Sequence, residues 1–295
     1  MNKYKIICSS TVDMPLQWFK DRDVPYISFH FNMDGKDYKD DMGQTMPLKD
    51  FYEKIKNGAL PTTSQPNAEE YIEIFRPYLE DGYDIIYLEL SSGISAAVNS
   101  SNIAKDTLLE EFPDRRIEVI DTFAASSGYG LLMDYALDLK DNGSSMDEVI
   151  DWIEKNKLKV HHWFFSSDLS AFYRGGRISA TKAAFGTLLN ICPLMNVDYL
   201  GRLIPRENIR TKKKAARAMV DKIEKFAIDG ASYDGKMFMC NSACEDDAHM
   251  VIDMIEERYP QLKGKILLNT IGTTIGTHTG TGTVALFFMG ETRTD

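Results

Sequence analysis

The first half of the chain repeats one unit: an apolar strand, a polar turn, then a helix. Residues 3–7 read as a strand, Cys8–Thr11 as the turn, and Asp13 with Pro15 as the start of a helix over 16–22. The unit recurs with strand 83–90, turn Ser91-Ser92-Gly93 and helix 94–111. It recurs again with strand 116–120, turn Asp121-Thr122 and helices 126–140 and 145–156. Strand and helix in alternation predict a parallel α/β sheet with helices on both faces. Ligands of such sheets sit at the carboxyl ends of the strands, where all three polar turns fall. Between the first two units, 24–31 alternates into a hairpin turn at Asp34-Gly35. Residues 47–56 are amphipathic, and 60–71 form an extended polar loop feeding a helix that Ser64 or Asn67 caps.

The pattern changes after the charged stretch 155–159. Strands are expected at 160–166, 195–198, 202–205, 236–241 and 265–270, with helices at 179–190, 209–226 and 246–259. Short strands around tight turns with long helices predict an α+β layer sandwich. A chain of 295 residues is comfortable for two domains, and the expected division is 1–158 and 159–295.

The formal net charge of −10 argues against a general nucleic-acid binder. No apolar run reaches the 18 residues of a membrane span, and the apolar run at the start is too short for a signal peptide. The expected location is the cytoplasm. Cys8, Cys192, Cys240 and Cys244 are then expected to be reduced, and no second ligand pair accompanies Cys240 and Cys244, so no metal is expected.

Residues 271–288 hold four glycines, six threonines and His278, and end in an apolar strand at 284–288. A glycine-rich, hydroxyl-rich turn with one histidine suits a small anion. A threonine-rich strand pair with an incidental histidine fits equally well. Ser91-Ser92-Gly93 opens a helix, which favours an anion at its N-terminus, although a capping serine is the commoner use. From Arg202 to Lys225 nine basic residues face three acids, and Arg174 and Arg177 form a second basic turn. A basic helix is most often a solvated face. Two basic elements in one acidic chain also suit an acidic or phosphorylated partner.

Five segments, in order, resemble the DegV family, including the fatty-acid-binding proteins that serve bacterial fatty acid kinase. They are Thr63-Ser-Gln-Pro66, Leu90-Ser-Ser-Gly-Ile-Ser95 and Tyr173-Arg-Gly-Gly-Arg-Ile-Ser179, then Gly201-Arg-Leu-Ile-Pro205 with Arg210-Thr-Lys-Lys-Lys-Ala215, and Ile275-Gly-Thr-His-Thr-Gly280. The departure is at Cys8-Ser9-Ser10-Thr11, where the family usually carries an acid in place of Ser9. The resemblance implies a two-domain fold holding one long-chain fatty acid, with no other cofactor, its carboxylate near the domain junction and its tail in a closed apolar tunnel. It implies Thr63, Ser91 or Ser92, and His278 as carboxylate ligands, with Ser64 and Thr277 beside them. It implies Arg174, Arg202 and Arg210 as the surface that meets the kinase or its phosphoryl group. The protein would present the acid to the kinase and carry the acyl phosphate onward to an acyltransferase, with transient contact at a membrane surface, and would not itself be the catalyst.

Chemistry agrees in outline. Burying a C16–C18 tail gains on the order of 10 kcal/mol before ordering costs. An unpartnered buried carboxylate costs several kcal/mol, which hydroxyl donors offset without a fixed positive charge. Two other readings are a serine hydrolase using Ser91 or Ser92 with His278, and a regulatory interaction module using the basic helix. The first lacks a G-x-S-x-G elbow, since Gly93-Ile-Ser-Ala-Ala97 fails it. Phe172, Phe185, Leu188, Leu189 and Met195 are candidate tail contacts or plain core.

Overall fold

A computed structural model describes residues 3–178 and 191–294. The first half runs β1 (Tyr4–Ser9), α1 (Leu16–Asp21), β2 (Tyr26–Ile27), β3 (His30–Met33), β4 (Lys36–Lys39) and α2 (Leu48–Lys56). It continues β5 (Thr62–Ser64), α3 (Ala68–Glu80), β6 (Asp84–Glu89), α4 (Ala97–Glu111), β7 (Ile117–Asp121), α5 (Ser126–Asp141) and α6 (Met146–Asn156). Strands β2-β1-β6-β7 make a four-stranded sheet whose pairs are all parallel. The expected hairpin forms, with β3 and β4 joined at Asp34-Gly35, and β5 adds antiparallel to β3 as a three-stranded sheet. β6 is buried along its whole length, as its unbroken Asp84-Ile-Ile-Tyr-Leu-Glu89 run requires in a sheet covered on both faces.

Local signals set the helix starts. Asn67, not Ser64, caps α3: its side chain accepts from the Glu70 amide, and Glu70 accepts from the Asn67 amide. Ser145 and Glu148 form the same reciprocal box on α6. Ser64 lies instead in β5, paired with His30.

The second half runs β8 (Val160–Ser166), α7 (Ser170–Arg174), β9 (Ile191–Val197), β10 (Leu203–Arg210), α8 (Lys212–Phe226) and β11 (Met237–Asn241). It ends α9 (Glu245–Arg258), β12 (Ile266–Thr270), α10 (Thr273–Thr279) and β13 (Thr283–Met289). These strands form one mixed six-stranded sheet in the order β10-β9-β8-β13-β11-β12. Helices α5 and α8 both pack against this sheet, so a single apolar core runs from Ile6 in β1 to Met289. The expected helix 179–190, with Phe185, Leu188 and Leu189, lies outside the described residues.

Three expectations need correction. The helix after Ser91-Ser92-Gly93 starts at Ala97, not at residue 94, and Ala96, not a serine, stands at its N-cap. The basic helix starts at Lys212, not at residue 209, because Ile209 and Arg210 are held in β10 by pairing with Cys192 and Ile191. Thr211, at φ +75°, then breaks the strand. The threonine-rich stretch is not a turn. Seven of its residues form helix α10, although their intrinsic helix propensity is poor. Packing overrides it: a β-carbon on Gly276 would lie 2.5 Å from the Tyr52 hydroxyl of α2, so glycine allows that approach. Tyr52 in turn donates to the Ile271 carbonyl at 2.8 Å.

Candidate functional site

A cavity of about 390 Å³ opens between the N-terminal loops and the face of the six-stranded sheet. Its sheet side is period-two strand chemistry. Ala285 and Phe287 alternate inward from β13, and His162 and Phe164 from β8. Phe172, Ile271 and Ile275 add apolar wall, as do Phe29, Leu90 and Ile94. Met195, a candidate tail contact, is buried in the core but does not line this cavity. The volume lies near the lower end of the roughly 300–1,000 Å³ usual for small-molecule sites.

One region of the wall is polar. Thr63, Ser64 and Gln65 come from β5 and its following turn, Ser95 from the loop before α4, and Arg177 from the turn after α7. Thr274 and His278, one helical turn apart, come from α10. Thr63 Oγ1 lies 2.7 Å from His278 Nε2. Burial, with the charges of Arg177 and Arg174 adding to it, pushes the imidazole down to about 4, so it is neutral near pH 7. Its Nδ1 is buried and has no partner among the described residues. That nitrogen faces Gly175, where a β-carbon would sit 2.2 Å away. A proton on Nε2 leaves no buried N–H unpaired, because Nε2–H then donates to Thr63. The Thr63 hydroxyl proton is thereby turned outward as a donor, the arrangement an anion requires.

Arg177 was placed by sequence only in a basic turn. It is half-buried at the cavity wall, where burial lowers its pKa, and its Nε donates to the Ile94 carbonyl at 3.2 Å. A fixed positive charge therefore stands beside the hydroxyls, which corrects the expectation of a head-group site without one. The Gly175-Gly176 turn is the sequence signal that separates its direction from that of Arg174, which is exposed.

Other expected ligands are placed elsewhere. Ser91 is fully buried but does not line the cavity: its Oγ donates to the Gly201 carbonyl at 2.9 Å and accepts from the Gly93 amide at 3.0 Å. Ser92 is exposed, with its amide on Asp121. Ser95, four residues beyond Ser91, is the serine of that loop that reaches the cavity. Thr277 points its hydroxyl into its own helix, at Thr273 O, 2.8 Å away. Arg202 is exposed, and its Nε and Nη2 both donate to Asp198 Oδ2, at 2.8 and 2.7 Å. Arg210 is exposed at the end of β10. Cys240 and Ser126, which no motif suggested, also line the cavity. All four cysteines are free thiols.

The chain and its fold have relatives. A family model described as "Uncharacterised protein, DegV family" matches residues 3–291. A DegV domain-containing protein of Clostridium perfringens is 39% identical over 293 residues, 99% of each chain. A "Fatty acid-binding protein" of Thermotoga maritima is 28% identical over 289 residues, 96% of each chain. The solved structure titled "Fatty Acid Binding of a DegV family Protein from Thermus thermophilus" superposes with a TM-score of 0.85 at 27% identity, covering 99% of this chain and 100% of that one. A match of the family model over nearly the whole length, together with the 39% identical relative, places the chain in the DegV family.

Proposed function

We propose that this protein binds one long-chain fatty acid, with its carboxylate at the Thr63–His278–Arg177 end of the cavity and its tail along the β8–β13 face. The observation that carries the reading is the Thr63–His278 hydrogen bond at the polar part of an otherwise apolar cavity. Relatives described as fatty-acid-binding proteins support it. An amphiphile with one anionic end has both of the needs this wall meets. The apolar face takes the tail, at about 0.8 kcal/mol per buried methylene. The Thr63 hydroxyl and the Arg177 guanidinium are donors for the carboxylate, and charge-assisted bonds of this kind are stronger than neutral ones.

The protein then serves as a carrier that presents the acid to a fatty acid kinase, with Arg174, Arg202 and Arg210 on the presented surface. An acyltransferase would take the acyl phosphate. The hydrolase alternative loses its support here, because the Ser91 hydroxyl is engaged with Gly201 and neither Ser91 nor Ser92 lines the cavity that His278 faces. The experiment is mass spectrometry of whatever co-purifies, beside a delipidated control. A bound C14–C18 acid near one-to-one is expected. Absence of lipid, with no rise in melting temperature on adding oleate or palmitate, would overturn the reading.

A further inference from the structure

A second cavity, of about 310 Å³, lies against the first. Ser126 lines the first and Asp13 the second, so the hydrogen bond from Ser126 Oγ to Asp13 is a shared wall. The second cavity is lined by two buried carboxylates, Asp13 at 4% exposure and Asp40 at 1%. Among the described residues neither has a lysine, arginine or histidine within ion-pair distance. A β-carbon on Gly272 would lie 2.6 Å from Asp13 Oδ1 and 3.4 Å from Asp40 Oδ1, so the two oxygens converge beside that α-carbon.

Neutral donors hold both groups. Gly272 N donates to Asp13 Oδ1 at 2.8 Å, while Ser10 Oγ and Thr274 N donate to Asp40 Oδ2 at 3.2 and 3.3 Å. These bonds partly offset desolvation but bring no positive charge. Burial, with the Asp40 charge adding to it, holds the Asp13 carboxyl well above the usual carboxylate range. Two buried acids without a cation are an unbalanced pair.

An independent observation points to a donor-bearing ligand. Asn269, at 6% exposure, lines the same cavity. Its Nδ2 donates to Ser127 Oγ at 3.1 Å. The Ser127 hydroxyl gives its own single proton to the Asp13 carbonyl at 3.1 Å, which fixes the orientation of the amide. Asn269 Oδ1 is then left buried with no partner among the described residues. Three acceptor-bearing side chains therefore border one space: Asp13, Asp40 and Asn269. A primary ammonium offers three N–H donors. A hard divalent metal instead asks for six to eight close oxygens and fills little of this volume. The remaining walls include Met14, Leu16, Met42, Leu48 and Leu268, which suit a short hydrocarbon body. Pro15, on the rim, is exposed.

We propose that this cavity is a second ligand site, one that takes a small organic primary amine as its ammonium form through Asp13, Asp40 and Asn269. The test is thermal unfolding of the full chain titrated with n-butylammonium chloride at constant ionic strength, beside tetramethylammonium and calcium chlorides. A saturable rise in melting temperature is expected with n-butylammonium alone. Asp40→Asn should abolish it. Asn269→Leu, which keeps both acids, should weaken the apparent affinity at least tenfold. No saturable rise overturns the proposal and leaves the acids as caps of α10. An equal response to tetramethylammonium, which has charge but no N–H, overturns it as well. So does saturation by calcium alone, or an unchanged affinity in Asn269→Leu.

Discussion

Thr63 Oγ1 and His278 Nε2 meet at 2.7 Å although 215 residues separate them. Thr63 is delivered by β5, which pairs with the hairpin strand β3 through Phe31↔Thr63. His278 is delivered by α10, whose N-terminus is held by Asp13 and Asp40 through the Gly272 and Thr274 amides. The Thr63–His278 pair thus exists only when both halves of the chain are assembled. Thr63→Val keeps shape and removes the hydroxyl. Its fatty-acid retention should fall by about 1–3 kcal/mol, the usual cost of removing a partner from a buried charged group. His278→Ala should fall similarly. Fatty-acid exchange measured beside unfolding curves decides it: unchanged exchange in both variants means the carboxylate sits elsewhere.

Gly175 offers a sharper probe, since it packs on the His278 ring without itself lining the cavity. A β-carbon there would be 2.2 Å from His278 Nδ1. Real contacts do not approach this closely, so Gly175→Ala must displace the ring from its present position against Thr63. Retention should drop about as far as in His278→Ala, while Gly176→Ala should leave the ring in place, since no atom lies within 4 Å of its added carbon, although its φ of +70° strains that variant slightly. Equal exchange rates in wild type and Gly175→Ala would show that the ring position is unimportant.

The contrast between Gly175 and Arg177 shows what the sequence could and could not tell. Strand β8 and the alternation of the first half were legible because period and turn chemistry are local. His278 and Thr63 were singled out by residue type within recognisable motifs. Arg177 was misjudged because the direction of a side chain after a Gly-Gly turn depends on tertiary packing, here on the Ile94 carbonyl. Ser91 was misjudged for the opposite reason. Its hydroxyl suits an anion, but Gly201 approaches so closely that a β-carbon there would be 1.9 Å from Ser91 Oγ, and the Gly201 carbonyl takes the proton. The α10 helix was invisible because a Gly-Thr sequence forms it only against Tyr52 and the two capping acids.

Glu89 gives a pH signature. It is fully buried on β6 and accepts from Tyr71 at 2.6 Å, Tyr87 at 2.9 Å and the Leu90 amide at 2.7 Å. Burial pushes its carboxyl from 4.5 up to about 7. Between those values the folded state binds the proton more tightly than the unfolded one. Its contribution to stability therefore grows as pH falls from about 7 toward 4.5, and is lost as pH rises through 7. His161, pushed from 6.5 down to about 4 by burial, works in the opposite direction over an overlapping range, so only a difference is informative. Glu89→Gln imitates the protonated form. Its stability relative to wild type should rise by up to about 3 kcal/mol between pH 5 and pH 7.5, from the size of the shift. Denaturant melts at several pH values test this, and a difference that is flat with pH refutes it.

The arginines should separate into two groups. Arg177 lines the cavity beside His278, and Arg174 stands exposed three residues before it. Arg202 and Arg210 are also exposed, at the two ends of β10. A guanidinium at a desolvated wall acts on the ligand, whereas one in solvent acts on a partner by a field that salt screens. Arg177→Met, which keeps length but removes charge and donors, should lose fatty acid while remaining folded. Arg174→Ala, Arg202→Ala and Arg210→Ala should keep the acid, yet lose acyl-phosphate formation with a fatty acid kinase and ATP, and wild-type coupling should weaken as salt rises. Arg202 carries a further condition: its head group is already paired with Asp198, so a partner's anion must compete for it. Asp198→Asn should therefore free the Arg202 head group and raise the kinase-dependent rate at low salt, provided the hairpin that Asp198 also holds through the Leu200 and Arg202 amides stays intact. Lipid content and kinase turnover measured for each variant separate the cases. Wild-type turnover in all three exposed-arginine variants reduces the basic elements to a solvated face, and loss of lipid in those variants moves them into the pocket.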